Sequence, residues 1–384
     1  MSETVKIPVI VGDGTGEDIW KASRAILEEA LSKGTGNSKR IEWIPLLAGI
    51  KALEQKGMLL PDETVDVIRE ARVAIKGPLT TPVGGGFRSV NVYLRQLFDL
   101  YVCIRPIRYF KGLPSPLKVP ERVDIVIFRE NTEDLYRGIE WKEGTADAKS
   151  VIAFLRDKLG VNLGEDTGIG IKPISRRGTE RFARWVIEWS IKHGRRSITI
   201  VHKGNIMKFT EGAFREWAYE VAAQYADKVS TEGQEGKIAL NDRIADNMFM
   251  QAIARPEDYD VLMCPNLNGD YLSDACAALI GGLGVAPGAN IGEEVAIFEP
   301  THGSAPKYAG RDIVNPTSFI LSGAMLFDHM GFEKAARLIR EAVEETIGMG
   351  IVTYDLARQL PGANEVTCSE FGREVMKRVI SSVI

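Results

Sequence analysis

Three groups of residues in this chain have the types and spacing to do chemistry. The first is a set of arginines around the glycine-rich stretch Pro82-Val-Gly-Gly-Gly-Phe-Arg-Ser-Val-Asn91, with Arg95 and Arg105 after it and Arg129 following an apolar run. A guanidinium pairs with carboxylate or phosphate through a planar fork, so several forks aimed at one point imply a multiply charged anion. Taken singly, each arginine could equally make its own surface ion pair.

The second group is acidic. Asp270 and Asp274 lie four residues apart in Asn268-Gly-Asp-Tyr-Leu-Ser-Asp, and Asp246 stands 24 residues before Asp270. If the segment after Gly269 is helical, both carboxylates share one face of its first turns. Oxygen donors so placed suit Mg2+ or Mn2+, and they also suit two acids that merely complement a helix N-terminus. The third group is an acid and base pair, Tyr136 in Arg129-Glu-Asn-Thr-Glu-Asp-Leu-Tyr and Lys203 at the end of a strand. A lysine among other cations can have its pKa drawn toward neutrality and move protons, while a surface lysine and a half-buried tyrosine are the plainer alternative.

What is missing narrows the field. Cys103, Cys264, Cys276 and Cys368 form no CxxC pair, and the four histidines show no ligand spacing, so a metal here is held by oxygen and the thiols read as buried and free. Glu17 stands where a GxGxxG after the first strand would need its third glycine, and no GxxxxGK[ST] occurs. The Rossmann fingerprint and the P-loop are both disfavoured.

The elements that must position these groups alternate along the chain. With 384 residues, 45% hydrophobic, 26% charged and a net charge of −4, the chain is a folded protein of more than one lobe. It has no basic excess for nucleic acid. Its apolar runs are too short to span a bilayer, its N-terminus does not read as a signal peptide, and a cytoplasmic location is expected. Buried strands are expected at 7–11, 73–76, 123–128, 197–202 and 259–264. The GDGTG of Gly12 to Gly16 turns the first strand into a helix with Ile19, Trp20, Ala25 and Ile26 inward, and helices are expected at 179–193 and 333–346. Asn315 and Pro316 read as a helix cap and first turn. The class is α/β. Without a linker, the lobes should share a sheet or interleave, and the polar segment 140–167 should form an arm outside it.

Read as whole motifs, the chain resembles the metal-dependent β-decarboxylating dehydrogenases and, within them, the prokaryotic NADP-dependent isocitrate dehydrogenases. The resemblance runs from GDGTG through GGGFRSVNVYLRQ, FRENTEDLYRGIEW, VHKGNIMKFTEGAF, NLNGDYLSDACAALIGGLGVAPGANIG and EPTHGSAPKYAGRDIVNP to TYDLAR. It implies large and small α/β domains sharing a central sheet, plus a clasp arm. The large, cofactor-side domain would take 1–100 and 281–384, the small domain 101–133 and 176–280, and the clasp 134–175.

The resemblance also implies residue roles. Arg95, Arg105 and Arg129 would hold the α- and β-carboxylates of isocitrate, and Ser89 and Asn91 would meet its γ-carboxylate. Asp270 and Asp274, with Asp246 from a second subunit of a homodimer, would hold Mg2+ or Mn2+. Lys203, also from that subunit, would assist deprotonation of the hydroxyl, and Tyr136 would protonate the enol carbon. Thr81 would lie near the nicotinamide, with His302, Lys307, Tyr308, Asn315, Tyr354 and Arg358 around the adenosine and 2′-phosphate of NADP. The reaction implied is oxidative decarboxylation of D-isocitrate to 2-oxoglutarate and CO2 in the tricarboxylic acid cycle. In some members the serine matching Ser89 is phosphorylated, which would make a regulatory kinase a partner. The nearest alternatives are homoisocitrate, 3-isopropylmalate or tartrate dehydrogenases; Ser89 and Asn91 are too polar for an isopropyl group. A non-catalytic relative would show damage at Lys203, Tyr136 or the aspartates, and all are intact.

Overall fold

Runs such as Val-Ala-Ile-Lys at Val73–Lys76 and Val-Leu-Met-Cys at Val261–Cys264 are buried throughout, as strands covered on both faces must be. The computed structural model describes residues 2–80 and 89–382. Eleven strands form one sheet. In spatial order they are Lys39–Leu46, Glu3–Ile10, Val73–Lys76, Ala296–Pro300, Pro287–Ile291, Val102–Arg108, Asp124–Glu130, Val261–Cys264, Ser197–His202, Ile238–Ile244 and Val229–Ser230.

The first four strands are parallel to one another and so are the last five. The two wings are joined through Pro287–Ile291 and Val102–Arg108, which pair antiparallel with each other and with their outer neighbours. The chain reaches the first wing from both its N-terminal third and its later part, so the lobes interleave through a continuous sheet. Helices Gly16–Gly34, Thr317–His329, Glu333–Gly348 and Cys368–Ser381 pack together beside the first wing, and Arg176–Lys192 and Glu211–Ala223 beside the second.

Outside this sheet, Glu140–Trp141 pairs antiparallel with Ile169–Gly170, and the helix Ala146–Leu159 lies between them in the chain. All four cysteines are buried and free. Among the described residues, no helix is long and apolar enough to cross a membrane.

Several boundaries differ from the sequence reading. Ala25 is exposed, and Ala22 takes the inward position in Gly16–Gly34. The strand expected to end at 128 continues to Glu130, so Arg129 lies within it. Pro316 occupies the cap position of Thr317–His329 and is not in its first turn, while the Asn315 side chain accepts the Thr317 N–H at 3.0 Å.

Candidate active site

Strand register brings two of the arginines together. In the antiparallel pair, Cys103 lies opposite Arg129 and Arg105 opposite Ile127, which makes Arg105 and Arg129 diagonal neighbours on one face. Both are buried, Arg129 to 1% exposure, so the reading of each as a separate surface ion pair does not hold. The helix Asn266–Ala277 lies across this face, and Gly269 allows its close approach: a Cβ there would stand 2.7 Å from the Arg129 Cβ.

From that helix, Asn266 accepts the Arg129 Nε–H at 2.8 Å and Asp270 accepts a second Arg129 N–H. Arg105 donates to Asp274 at 2.9 Å and to the Ser273 hydroxyl at 2.6 Å, and lies 3.6 Å from Asp270. Asp270 and Asp274 thus share one face as the spacing required. The helix begins at Asn266, however, which puts Asp270 in its second turn, past the terminal N–H groups. The charge of these acids is answered by arginine, and a purely dipolar role loses its basis. One of those N–H groups, that of Leu267, is satisfied by Asp134 at 3.0 Å.

Asp134 opens the short 3-10 turn Asp134–Arg137 that carries Tyr136. The Tyr136 hydroxyl donates to Asp270, and its ring lies beneath the Arg129 guanidinium. Its carbonyl accepts from Gln96 at 3.4 Å. Gln96 belongs to the helix Val90–Leu97, whose N-cap is Ser89, with its hydroxyl oxygen accepting the Val92 N–H at 3.5 Å. The same helix supplies Asn91, whose Oδ1 is buried without a hydrogen-bond partner, and Arg95, which donates to Glu299 at 3.3 Å.

Glu299 is a residue the sequence reading passed over. It also pairs with Lys76 and accepts from Asn290 at 2.6 Å. The signal was present in Val73–Lys76, because a lysine ending a fully buried strand must meet a counter-charge.

Burial tends to raise Glu299, but Lys76 and Arg95 outweigh it and hold the carboxyl well below its ordinary range. Asp270 is likewise raised by burial and then held below its usual value by Arg129, the Tyr136 hydroxyl and Arg105. Tyr136 goes the other way, pushed up by burial and by donating to Asp270. Asp274 is raised, chiefly by burial, against the pull of Arg105.

Lys203 and Asp246 stand apart from this cluster and pair with each other, Nζ to Oδ2 at 2.5 Å. Among the described residues, neither side chain bonds to Asp270, Tyr136 or the arginines. The Lys203 loop is nevertheless tied to the Asp270 helix, since buried Glu211 accepts both the Lys203 N–H and the Asn268 side chain. Asp246, Met250 and Ile253 lie on one face of Ala245–Ala254. Met250 and Ile253 are about half exposed, and Phe209, six residues after Lys203, is 91% exposed. Among the described residues, no three His, Cys, Asp or Glu side chains gather into a cation site.

The residues matched to a dinucleotide are only partly gathered. The rings of Tyr308 and Tyr354 lie 6.1 Å apart, and the Arg358 guanidinium is 5.9 Å from the Tyr354 ring. Asn315 donates to Asp355 at 3.1 Å. Burial holds His302 below its ordinary value, and its Nε2 is buried without a partner. Lys307 is exposed in the turn Pro306–Tyr308. Thr81 lies outside the described residues.

Comparison with known proteins places this arrangement. The chain is 53% identical over 386 aligned positions to the isocitrate dehydrogenase [NADP] of Archaeoglobus fulgidus, covering 98% of this chain and 93% of that protein. To the isocitrate dehydrogenase [NADP] of Staphylococcus aureus it is 51% identical over 401 positions, covering 97% of this chain and 95% of the other. The crystal structure of isocitrate dehydrogenase from Methylococcus capsulatus superposes with a TM-score of 0.83 at 39% identity, covering 99% of each chain. The profile described as Isocitrate/isopropylmalate dehydrogenase matches residues 6–375. With sequence and fold agreeing over nearly the whole length, the chain belongs to the isocitrate/isopropylmalate dehydrogenase family.

Proposed function

We propose that this protein catalyses the NADP-dependent oxidative decarboxylation of D-isocitrate to 2-oxoglutarate and CO2, as the names of its relatives in Archaeoglobus and Staphylococcus indicate for those proteins. The observation that carries the reading is the convergence of Arg95, Arg105 and Arg129 with Tyr136 around Asp270 and Glu299. Three buried guanidinium groups neutralise the α- and β-carboxylates of a tricarboxylate. Ser89 and Asn91 stand at the head of the same helix, where a hydroxyl and a side-chain amide N–H can donate, and we assign them to the γ-carboxylate. Tyr136 delivers its phenolic proton to the carbon that loses CO2, and Lys203 Nζ takes the hydroxyl proton.

The donor set fits a hard divalent cation. Asp270 and Asp274 offer oxygens from one helix face, and both lie within reach of the same Arg105 nitrogen, so two acids already crowd one point. Asp246 completes the set from a second copy of the chain. The residues also fit NADP: Lys307 makes no ion pair among the described residues, His302 Nε2 is an orphaned donor or acceptor, and Tyr308, Tyr354 and Arg358 supply hydroxyls and charge for a 2′-phosphate. When bound, NADP+ accepts the hydride and the cation draws electron density from the oxygen that remains.

The active site is shared in a homodimer. Support comes from the apolar stripe of Met250 and Ile253 on the Asp246 face and from exposed Phe209 near Lys203; whatever covers that surface must also approach Asp246. In this reading 1–100 and 281–384 form the cofactor-side domain, 101–133 and 176–280 the domain that dimerises, and 134–175 the clasp. Four free thiols accord with a reducing cytoplasm, and a kinase acting at Ser89 would regulate the enzyme.

Absorbance at 340 nm with D-isocitrate tests the reading directly. Reduction is expected with NADP+ at far higher kcat/KM than with NAD+, and none with EDTA present. Faster turnover of homoisocitrate, 3-isopropylmalate or tartrate would replace it.

A further inference from the structure

The strands that carry the active-site cluster have a second face. Alternation puts Arg105 and Arg129 on one side, and Ile104, Pro106 and Val126 on the other. There they floor a groove of about 660 Å³ with Ala289 and Phe298. Its walls are Trp185 and Trp189 of Arg176–Lys192 on one side and Leu321 and Met325 of Thr317–His329 on the other. The volume is that of a small-molecule site, apolar in lining with a few polar groups at the rim.

The rim charges are unbalanced. Two of the acids there pair with a cation, Asp124 with Arg195 at 3.4 Å and Asp328 with Arg340 at 2.6 Å, while Glu188 keeps its charge and accepts from the Tyr225 hydroxyl at 2.6 Å. Arg108 and Lys192 also line the groove, both exposed, and neither makes a hydrogen bond or ion pair among the described residues. Two cations without a hydrogen-bonded partner, against one such acid in Glu188, therefore overlook a trough of tryptophan, phenylalanine and aliphatic side chains.

We propose that this groove binds an aromatic organic anion, with its rings against Trp185 and Met325 and its carboxylate or sulfonate between Arg108 and Lys192. Aromatic faces favour a flat ring system over a flexible chain, and a carboxylate or sulfonate makes charge-assisted contacts with the two cations. The site is separate from the proposed isocitrate site and uses none of its residues, because a single layer of backbone lies between them.

The test uses the full-length protein and 8-anilinonaphthalene-1-sulfonate as probe, followed by energy transfer from tryptophan and by calorimetry. One saturable site per chain is expected. Affinity should fall about tenfold or more in the double variant Arg108→Ala/Lys192→Ala, and uncharged N-phenyl-1-naphthylamine should bind more weakly by a similar factor. Met325→Trp, which fills the trough, should abolish binding, and turnover of both variants without probe should match the parent. If Met325→Trp does not fold, the exposed double variant decides. No saturable binding up to about 1 mM, or equal affinity in the double variant, overturns the proposal. So does a change in sedimentation on Met325→Trp with probe binding intact, which would make the groove a contact between copies of the chain.

Discussion

The guanidinium carbon of Arg129 lies 4.5 Å from the centroid of the Tyr136 ring. A cation over a ring face is worth about 2 kcal/mol when desolvated, and Arg129 is buried. The contact fixes the ring, while the hydroxyl at its far end is fixed by Asp270. Tyr136 is therefore held at both ends.

That clamp predicts the behaviour of Tyr136→Phe. The ring and its cation contact survive, and only the transferable proton is lost. We expect kcat to fall by roughly 10²- to 10⁴-fold with little change in KM for isocitrate. Steady-state kinetics check this, and an unchanged kcat would remove Tyr136 from proton transfer.

Glu299→Gln tests the charge that faces Lys76 and Arg95. Leaving two buried cations short of a partner should cost about 3–5 kcal/mol at neutral pH. The Glu299 carboxyl is depressed below its ordinary 4.5 in the fold, so its contribution is complete above that value and is lost as pH falls below it. Urea unfolding of parent and variant should therefore differ most at pH 7 and converge on acidification. A constant gap down to pH 3 would contradict the assignment.

Ser89→Asp separates charge from structure. Aspartate caps a helix as well as serine does, so Val90–Leu97 should keep its stability. A negative charge beside the γ-carboxylate should raise KM for isocitrate about tenfold or more. If KM does not move, neither the contact nor control by phosphorylation at Ser89 survives.

Lys307→Asp addresses cofactor choice. Losing a charge-assisted contact to the 2′-phosphate costs about 1.5–3 kcal/mol, so kcat/KM for NADP+ should drop roughly 10- to 150-fold while that for NAD+ holds or rises. Parallel losses for both nucleotides would place Lys307 elsewhere.

Burial pushes the Cys276 thiol up to about 12, and all four cysteines are buried. Ellman's reagent should find no reactive thiol in the native protein at pH 8 and four in guanidinium chloride. Rapid native labelling would show that the core opens far more readily than its packing implies.

Much of this was legible where one physical signal dominates. Val73–Lys76 and Ser197–His202 are apolar runs bounded by polar residues, and the sequence reading has their limits correct. The i, i+4 pairing of Asp270 and Asp274 follows from helix period alone. The central strands were not legible. Val102–Arg108 contains Arg105 and Pro106, and Pro287–Ile291 opens on Pro-Gly-Ala-Asn, residues that local propensity counts against a strand. They persist because tertiary pairing covers them on both edges. Glu299 was missed for the same reason: its partner Lys76 lies 223 positions earlier, and only the sheet order brings them together.

The alternation within Val102–Arg108 limits how this protein can change. Substitution at Arg105 alters the arginine cluster, and at Ile104, Pro106 or Arg108 the groove behind it. Deleting one residue before Arg105 would instead exchange the two sets, turning a guanidinium toward Trp185 and a proline toward Asp274. Length in this strand is consequently less negotiable than identity, and each side of the partition can be redesigned without consulting the other.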